Sequence, residues 1–436
     1  MPVATTNGHA VTPALGTSEL LRVATAGSVD DGKSTLIGRL LLDSKQILED
    51  QLAAVERTTL EQGGAEGLNL ALLTDGLRAE RERGITIDVA YRYFATPRRR
   101  FVLADTPGHV EYTRNMVTGA SRSDVSIVLV DARAGVVEQS RRHASISALL
   151  RIPHVVLCVN KMDLVGFDRA VFERVAEEFT GLATHLGVED VTAIPISALL
   201  GDNVVEPSPS MPWFTGSPLL RHLEDIELIP EGRTGGARLP VQWVLPTAGG
   251  PEERCYAGQV SGGVLRPGDD VSVLPSGESG RITRIETFDG ELGEAAAPRA
   301  VTVHLTGGLH AVRGDMIVAA AEPPALTTEL EATLCWMSEE PLVPGDGLLL
   351  KHATRTVRAR VGELRFRLDN DSLEHEAAPA RLTLNDLAGV RIAVDEPLAL
   401  DPYRDNRVTG SFILIDEATN ATVAGGMVDS APSAEG

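Results

Sequence analysis

Two rhythms of apolar and polar residues divide the chain. From Leu21 to about Asp225, short apolar runs alternate with longer stretches in which apolar side chains recur every third or fourth position. This alternation predicts βαβ units on a parallel sheet. The expected strands are Leu21–Ala26, Phe101–Ala104, Val125–Val130, His154–Val159 and Val191–Pro195, with Ala90–Phe94 folded back on the second of them. From about Arg238 the helical period fades, and β-rich segments follow one another between Gly and Pro turns. Val241–Leu245, Cys255–Val260, Asp270–Val273, Gly280–Phe288, Ala300–Leu305 and Met316–Ala319 predict one barrel. Glu329–Trp336, Gly347–His352, Thr354–Leu368, Asp386–Ile392 and Ser411–Asp416 predict a second. The expected layout is a disordered lead-in over 1–17, an α/β domain over 18–230, a Gly-rich linker at Glu231 to Ala237, and β-barrels over 238–322 and 325–430, parted at Glu322-Pro323-Pro324.

Composition narrows the class. At 436 residues the chain is too long for one ordinary domain. Its 43% hydrophobic and 23% charged residues, with a mean hydropathy of +0.00, describe a globular protein. No apolar run reaches the ~18 residues of a membrane span. The small, polar start, Met1 to Thr17, lacks the basic and apolar regions of a signal peptide, so a cytoplasmic location is expected. Cys158, Cys255 and Cys335 lie too far apart for a C-x-x-C motif and read as small buried hydrophobes. A formal charge of −21 repels phosphate backbones and argues against nucleic acid as a partner.

The candidate chemistry sits at the ends of the predicted strands. Gly27-Ser28-Val29-Asp30-Asp31-Gly32-Lys33-Ser34 follows the first strand and opens the helix-forming run Thr35 to Asp43, matching the G-x-x-x-x-G-K-[ST] phosphate loop. Its glycines let successive N–H groups point inward, Lys33 sets a cation against the β and γ phosphates, and Ser34 offers a hydroxyl to Mg²⁺. Asp105-Thr106-Pro107-Gly108-His109 follows the next strand; Asp105 can hold the metal through water, and the Gly108 N–H can reach the γ-phosphate. Asn160-Lys161-Met162-Asp163 ends a further strand, and its Asp163 can accept both N1–H and the exocyclic amine of guanine, a donor pair that adenine lacks. Ser197-Ala198-Leu199 would turn backbone N–H groups toward guanine O6. An α/β GTPase domain of the P-loop type, binding GTP with Mg²⁺, is therefore expected ahead of the barrels.

Other residues carry two readings. In Arg83-Gly84-Ile85-Thr86-Ile87, Thr86 would supply a hydroxyl and carbonyl to Mg²⁺ and the γ-phosphate, completing a metal set with Ser34 and Asp105. His109 is either a structural histidine or the group that orients the attacking water; the second is expected, with Thr86 and Lys33 as the other catalytic residues. Val29 and Ile85 would gate that histidine, or be plain core. The cluster Arg78 to Arg83 reads as a solvated helical face, and Arg98-Arg99-Arg100 as a charged hairpin tip. Ser261-Gly262-Gly263 resembles the start of an adenylating pyrophosphate loop, but Val264-Leu265 follow where Asp-Ser belongs, so a barrel turn is expected.

The order of these motifs, followed by two barrels, resembles translation-factor GTPases of the elongation factor Tu type over residues from about 20 to 425. Within that class, the strings Gly27 to Leu41, Asp75-Gly76-Leu77-Arg78-Ala79-Glu80-Arg81-Glu82, Ile87 to Phe94 and Asp401 to Asp416 are similar to the GTPase subunits of bacterial sulfate adenylyltransferase. Where elongation factors carry His and Thr, this chain has Asp31 and Ser34. The resemblance implies a GTP site that includes Gly27 to Thr35. It also implies a smaller partner subunit that transfers the adenylyl group of ATP to sulfate, giving adenosine 5′-phosphosulfate and diphosphate, an unfavourable reaction driven by GTP hydrolysis on the large subunit. Some relatives fuse an adenylylsulfate kinase with its own phosphate loop; none is seen here up to Gly436, so kinase activity would need another protein. The competing reading is a translation GTPase that delivers a tRNA to the ribosome.

Overall fold

The computed structural model describes residues 19–28, 30–44, 70, 89–106, 113–228, 235–247, 250–306, 309–369 and 375–431. The 1–17 lead-in, Val29, Asp75 to Thr86, Gly108, His109 and most of the Glu231 to Ala237 linker lie outside them. Backbone proximity divides the chain into two compact units, Met1–Gly108 with Thr118–Glu227 and His109–Val117 with Leu228–Gly436.

The first unit is built on a six-stranded sheet of β1 (Leu20–Gly27), β2 (Ala90–Ala95), β3 (Arg100–Asp105), β4 (Val125–Asp131), β5 (His154–Asn160) and β6 (Asp190–Pro195), in the order β2-β3-β1-β4-β5-β6. Every pair is parallel except β2–β3, an antiparallel hairpin. β4 and β5 are apolar almost throughout because both their faces are covered. Among the described residues the helices are α1 (Lys33–Asp43), α2 (Thr113–Ala120), α3 (Glu138–Leu149), α4 (Arg169–His185) and α5 (Leu219–Asp225). α1 lies against β1 and β3, α3 against β1 and β4, and α4 against β5 and β6. The helix α1 buries Leu36, Ile37 and Leu40 at the spacing its sequence sets.

The arginine run is more than a solvated hairpin tip. Arg99 is only 8% exposed and donates to the carbonyls of Leu223 (3.0 Å) and Ile226 (2.6 Å), capping the end of α5, while Arg98 pairs with Glu224 and Asp225 at 3.1 and 2.7 Å. Helix carbonyls that lack intrahelical partners are thereby satisfied by side chains a hundred residues away in sequence.

The second unit holds two β-structures. The first runs through β7 (Arg238–Pro240), β8 (Trp243–Thr247), β9 (Gly250–Gln259), β10 (Val264–Leu265), β11 (Asp270–Leu274), β12 (Glu278–Thr287), β13 (Gly290–Glu291), β14 (Ala295–Ala296), β15 (Ala300–Leu305) and β16 (Met316–Ala319). Its main sheet has the order β7-β16-β11-β12-β15-β9-β8, and a bridge from Arg238 to Ser261 draws its two sides together. Ser261-Gly262-Gly263 is a turn between β9 and β10, with both glycines at positive φ (79° and 54°). The second barrel comprises β17 (Ala325–Trp336), β18 (Gly347–His352), β19 (Arg355–Leu368), β20 (His375–Ala377), β21 (Leu387–Leu400), β22 (Ser411–Ile415) and β23 (Thr422–Ser430). It closes through the β18–β19 pairing around a core that includes Leu334, Leu350, Val361, Ile392 and Leu414. The three cysteines are buried and form no disulfide. Among the described residues no helix is long and apolar enough to cross a membrane.

Within this unit the barrels share a seam. Leu274, Met316 and Val318 meet Ala399 and Leu326. Beside them Arg238 forks onto Asp401, with Nε–Oδ2 at 3.0 Å and Nη2–Oδ1 at 2.9 Å, and also donates to the Glu322 carbonyl at 2.7 Å. Thr409 Oγ1 donates to Asp401 Oδ2 at 2.6 Å. The Asp401 to Asp416 string thus carries the acceptor and supporting hydroxyl of the seam's buried ion pair.

Candidate nucleotide site

The site gathers at the carboxyl ends of β1, β3 and β5, as expected of ligands on an open α/β sheet. β1 ends at Gly27 and α1 begins at Lys33, with its N-cap, Gly32, at φ 94°. A Cβ at Gly32 would lie 2.5 Å from Asn160 Nδ2, so both backbone conformation and space demand glycine. The loop is closed by its own carboxylate: Asp31 Oδ2 accepts the Ser28 N–H at 2.6 Å. Burial raises the Asp31 carboxyl above its usual range, against the lowering effect of the Ser28 N–H and of Lys33.

Lys33 is 7% exposed and donates to the carbonyls of Gly27 (2.6 Å) and Ser28 (2.9 Å), which holds its ammonium inside the loop. Burial depresses its pKa, opposed by the charges of Asp105, Asp31 and Asp30. Ser34 and Thr35 stand in the first turn of α1, where N–H groups have no intrahelical acceptor and the helix dipole favours an anion. Neither hydroxyl makes a hydrogen bond with the described residues. Asp105, buried at the end of β3, lies level with Thr25, whose hydroxyl approaches its Oδ1 at 3.5 Å.

Asn160 ties the phosphate end to the base end. Its Nδ2 donates to the Asp31 carbonyl at 2.7 Å, and its Oδ1 accepts the Ala198 N–H at 2.9 Å. Asp163 accepts the Ser197 hydroxyl at 2.7 Å on Oδ1, while Oδ2 has no partner among the described residues. Lys161, at φ 62°, is held by Asp131 (Nζ–Oδ2, 3.0 Å). Asp131 in turn accepts from the Arg133 backbone N–H (2.9 Å), Nε (3.0 Å) and Nη2 (2.6 Å). Burial opposes ionisation of Asp131, but these donors and Lys161 overcome it and hold the carboxyl well below its usual range.

The structure therefore brings together Gly27, Ser28, Asp30, Asp31, Gly32, Lys33, Ser34, Thr35, Asp105, Asn160, Lys161, Asp163, Ser197, Ala198 and Leu199. Val29, Thr86, Gly108 and His109 fall outside the described residues. Sequence reasoning missed Thr25, Asp131, Arg133 and Gln139, the last accepting the Ser28 hydroxyl from α3. Asp131, as the last residue of a strand on an open sheet, carried a usable signal; Gln139 carried none.

His143 on α3 is a further unforeseen neighbour. It is 4% exposed, its Nδ1 has no hydrogen-bond partner among the described residues, and its pKa is pushed from 6.5 to about 3, chiefly by burial and then by Lys33 and Arg142. The unfolded chain binds this proton near pH 6.5 and the folded chain does not. The contribution of His143 to stability is then intact above pH 6.5 and is lost progressively as pH drops toward 3. Urea denaturation at several pH values should show a shallower acid loss for His143→Gln than for the wild type; parallel curves would contradict this.

The fold and this arrangement define a P-loop GTPase of the elongation factor Tu type. The family model of the elongation factor Tu GTP binding domain matches residues 18–230, and that of the GTP-eEF1A C-terminal domain-like family matches 329–429. The chain is 50% identical over 430 residues to sulfate adenylyltransferase subunit 1 of Laribacter hongkongensis, covering 98% of this chain and 89% of that one. It is 54% identical over 412 residues to the bifunctional enzyme CysN/CysC of Mycobacterium tuberculosis, covering 94% of this chain and 67% of the relative. A solved structure of sup35 complexed with GDP aligns over 98% of each chain at 21% identity and a TM-score of 0.44, which adds nothing to the assignment. The chain belongs to the sulfate adenylyltransferase subunit 1 family.

Proposed function

We propose that this chain is the GTPase subunit of a sulfate adenylyltransferase, in which GTP hydrolysis drives ATP and sulfate to adenosine 5′-phosphosulfate and diphosphate. A smaller partner subunit carries out the adenylyl transfer. The observation that carries this reading is the 50% identity, over nearly the whole chain, to a relative named subunit 1 of that enzyme. The charge of −21 and the barrel turn at Ser261-Gly262-Gly263 support it by disfavouring an RNA partner and an adenylating loop in this chain. The motif order, the barrels and the two family models suit the tRNA-delivering alternative equally, so they do not favour it over the sulfate reading.

In this reading the first turn of α1 and Lys33 receive the phosphates, and Asp163 receives the guanine N1–H and amine. The residues present suit Mg²⁺, since Ser34 has a hydroxyl unengaged among the described residues and Asp105 a carboxylate beside the loop, both hard oxygen donors. Ser34 and Asp105 would hold the ion, with Thr86 as a third donor. The ion would neutralise charge between the β and γ phosphates. His109 would orient the attacking water, and Thr86 would couple its segment to the γ-phosphate.

Asp163→Asn is expected to weaken GTP binding about a hundredfold, because two charge-assisted hydrogen bonds are lost. It should gain xanthosine triphosphate, whose 2-carbonyl can accept from the new amide. Titration with both nucleotides checks this, and an unchanged GTP preference would remove Asp163 from base recognition. The function itself is tested by GTP turnover of this chain mixed with the small subunit. Stimulation only when ATP and sulfate are both present supports it; indifference to both overturns it.

A further inference from the structure

We infer that Arg39 is a positioning residue for recognition of the guanine 6-keto oxygen, acting through the 197–201 turn from the helix that carries the phosphate loop. The inference rests on the reading of this site as a GTP site. Within the turn almost every backbone donor is committed. Ser197 N–H donates to the Asp202 carbonyl (3.1 Å), Ala198 N–H to Asn160 Oδ1 (2.9 Å), Leu200 N–H to Ser197 Oγ (3.2 Å) and Gly201 N–H to the Ser197 carbonyl (2.7 Å). Only the Leu199 N–H is left without a partner among the described residues.

That N–H shares its peptide plane with the Ala198 carbonyl, and in a trans peptide the two point in opposite directions. Arg39, in the second turn of α1, donates from Nε to the Ala198 carbonyl at 3.2 Å and from Nη2 to the Leu199 carbonyl. The guanidinium fork thus anchors two successive peptide planes at once, as no single-donor side chain could. Asp43, one turn further on, sits 3.6 Å from Nη1 and steadies the fork. With both carbonyls drawn to α1, the Leu199 N–H is presented on the opposite side, pre-set for an acceptor on the base. Asp163, held through Ser197, presents its free oxygen to the neighbouring donor edge. Of the two recognition elements for one base, the acceptor is then held by Ser197 and the donor by Arg39.

The test is binding of GTP, 6-thio-GTP, ITP and ATP to the full-length chain. 6-Thio-GTP replaces only the 6-oxygen by a weaker acceptor, and ITP lacks only the 2-amine. Arg39→Ala should weaken GTP about tenfold, bring the 6-thio-GTP to GTP affinity ratio close to one, and leave the ITP to GTP ratio as in the wild type. Arg39→Lys, which keeps the charge but a single donor site, should fall between the two and serves if the alanine variant does not fold. A 6-thio ratio unchanged by either substitution overturns the inference, as does a joint collapse of both ratios, which would mean general loosening. If the wild type holds GTP no tighter than ATP, the reading of the site itself fails; if it discriminates and Arg39→Ala discriminates equally, only the role of Arg39 fails.

Discussion

Lys33→Ala is expected to abolish GTP binding at micromolar nucleotide, a loss of at least about a hundredfold if two or three charge-assisted bonds to phosphate disappear at about 1.5–3 kcal/mol each. The structure gives a second reason for the size of the effect. The ammonium that would meet the phosphates is buried and held by the carbonyls of Gly27 and Ser28, at 2.6 and 2.9 Å, so it spans the loop and stands ready inside it. Its removal takes the cation out of the loop while Asp31 and Asp105 stay close by. Repulsion then replaces attraction. Titration with a fluorescent GTP analogue measures this directly, with circular dichroism confirming that the sheet is intact. A dissociation constant within tenfold of the wild type would contradict the assignment of the loop.

Arg238→Ala is expected to destabilise the barrel unit by about 3–5 kcal/mol, the usual consequence of leaving one member of a buried ion pair without its partner. Asp401 would keep the Thr409 hydroxyl, a single neutral donor, against two guanidinium bonds lost. The Glu322 carbonyl would lose its Arg238 donor as well. Arg238→Met would separate charge from packing, since it restores volume but still strands Asp401; the double change with Asp401→Leu should recover much of the loss. Urea denaturation of the three variants checks the ordering, and a cost for Arg238→Ala below 1 kcal/mol would mean the seam is held by its apolar contacts alone.

These two predictions draw on parts of the molecule that were unequally legible in the sequence. The phosphate loop could be read because its chemistry is local: Gly27, Gly32 and Lys33 must follow a strand and precede a helix within a few residues, and each has a mechanical role that other residue types cannot fill. The strands of the sheet and most barrel strands could be read because burial on one or both faces imprints a period on consecutive positions. What joins distant segments left no such imprint. Arg238 finds Asp401 across 163 residues, and Arg39 finds the Leu199 carbonyl across 160. Either arginine reads, on its own, as a surface charge. For the same reason Arg98 and Arg99 pass for a solvated turn until α5 is seen to end against them. Short strands such as β13 and β20 escape because two or three residues cannot display a period, and they form only because a longer neighbour supplies the pairing.

Whether the energy of GTP hydrolysis reaches the sulfate reaction decides the function of this chain. Diphosphate release from ATP and sulfate should be followed with this chain and the small subunit together, with and without GTP, while GTP hydrolysis is recorded in the same sample. GTP is expected to carry the reaction well past the extent reached without it, in step with GTP hydrolysed, and Lys33→Ala is expected to remove the difference. Diphosphate release that is the same with and without GTP, while GTP is hydrolysed at a rate indifferent to ATP and sulfate, would contradict this coupling.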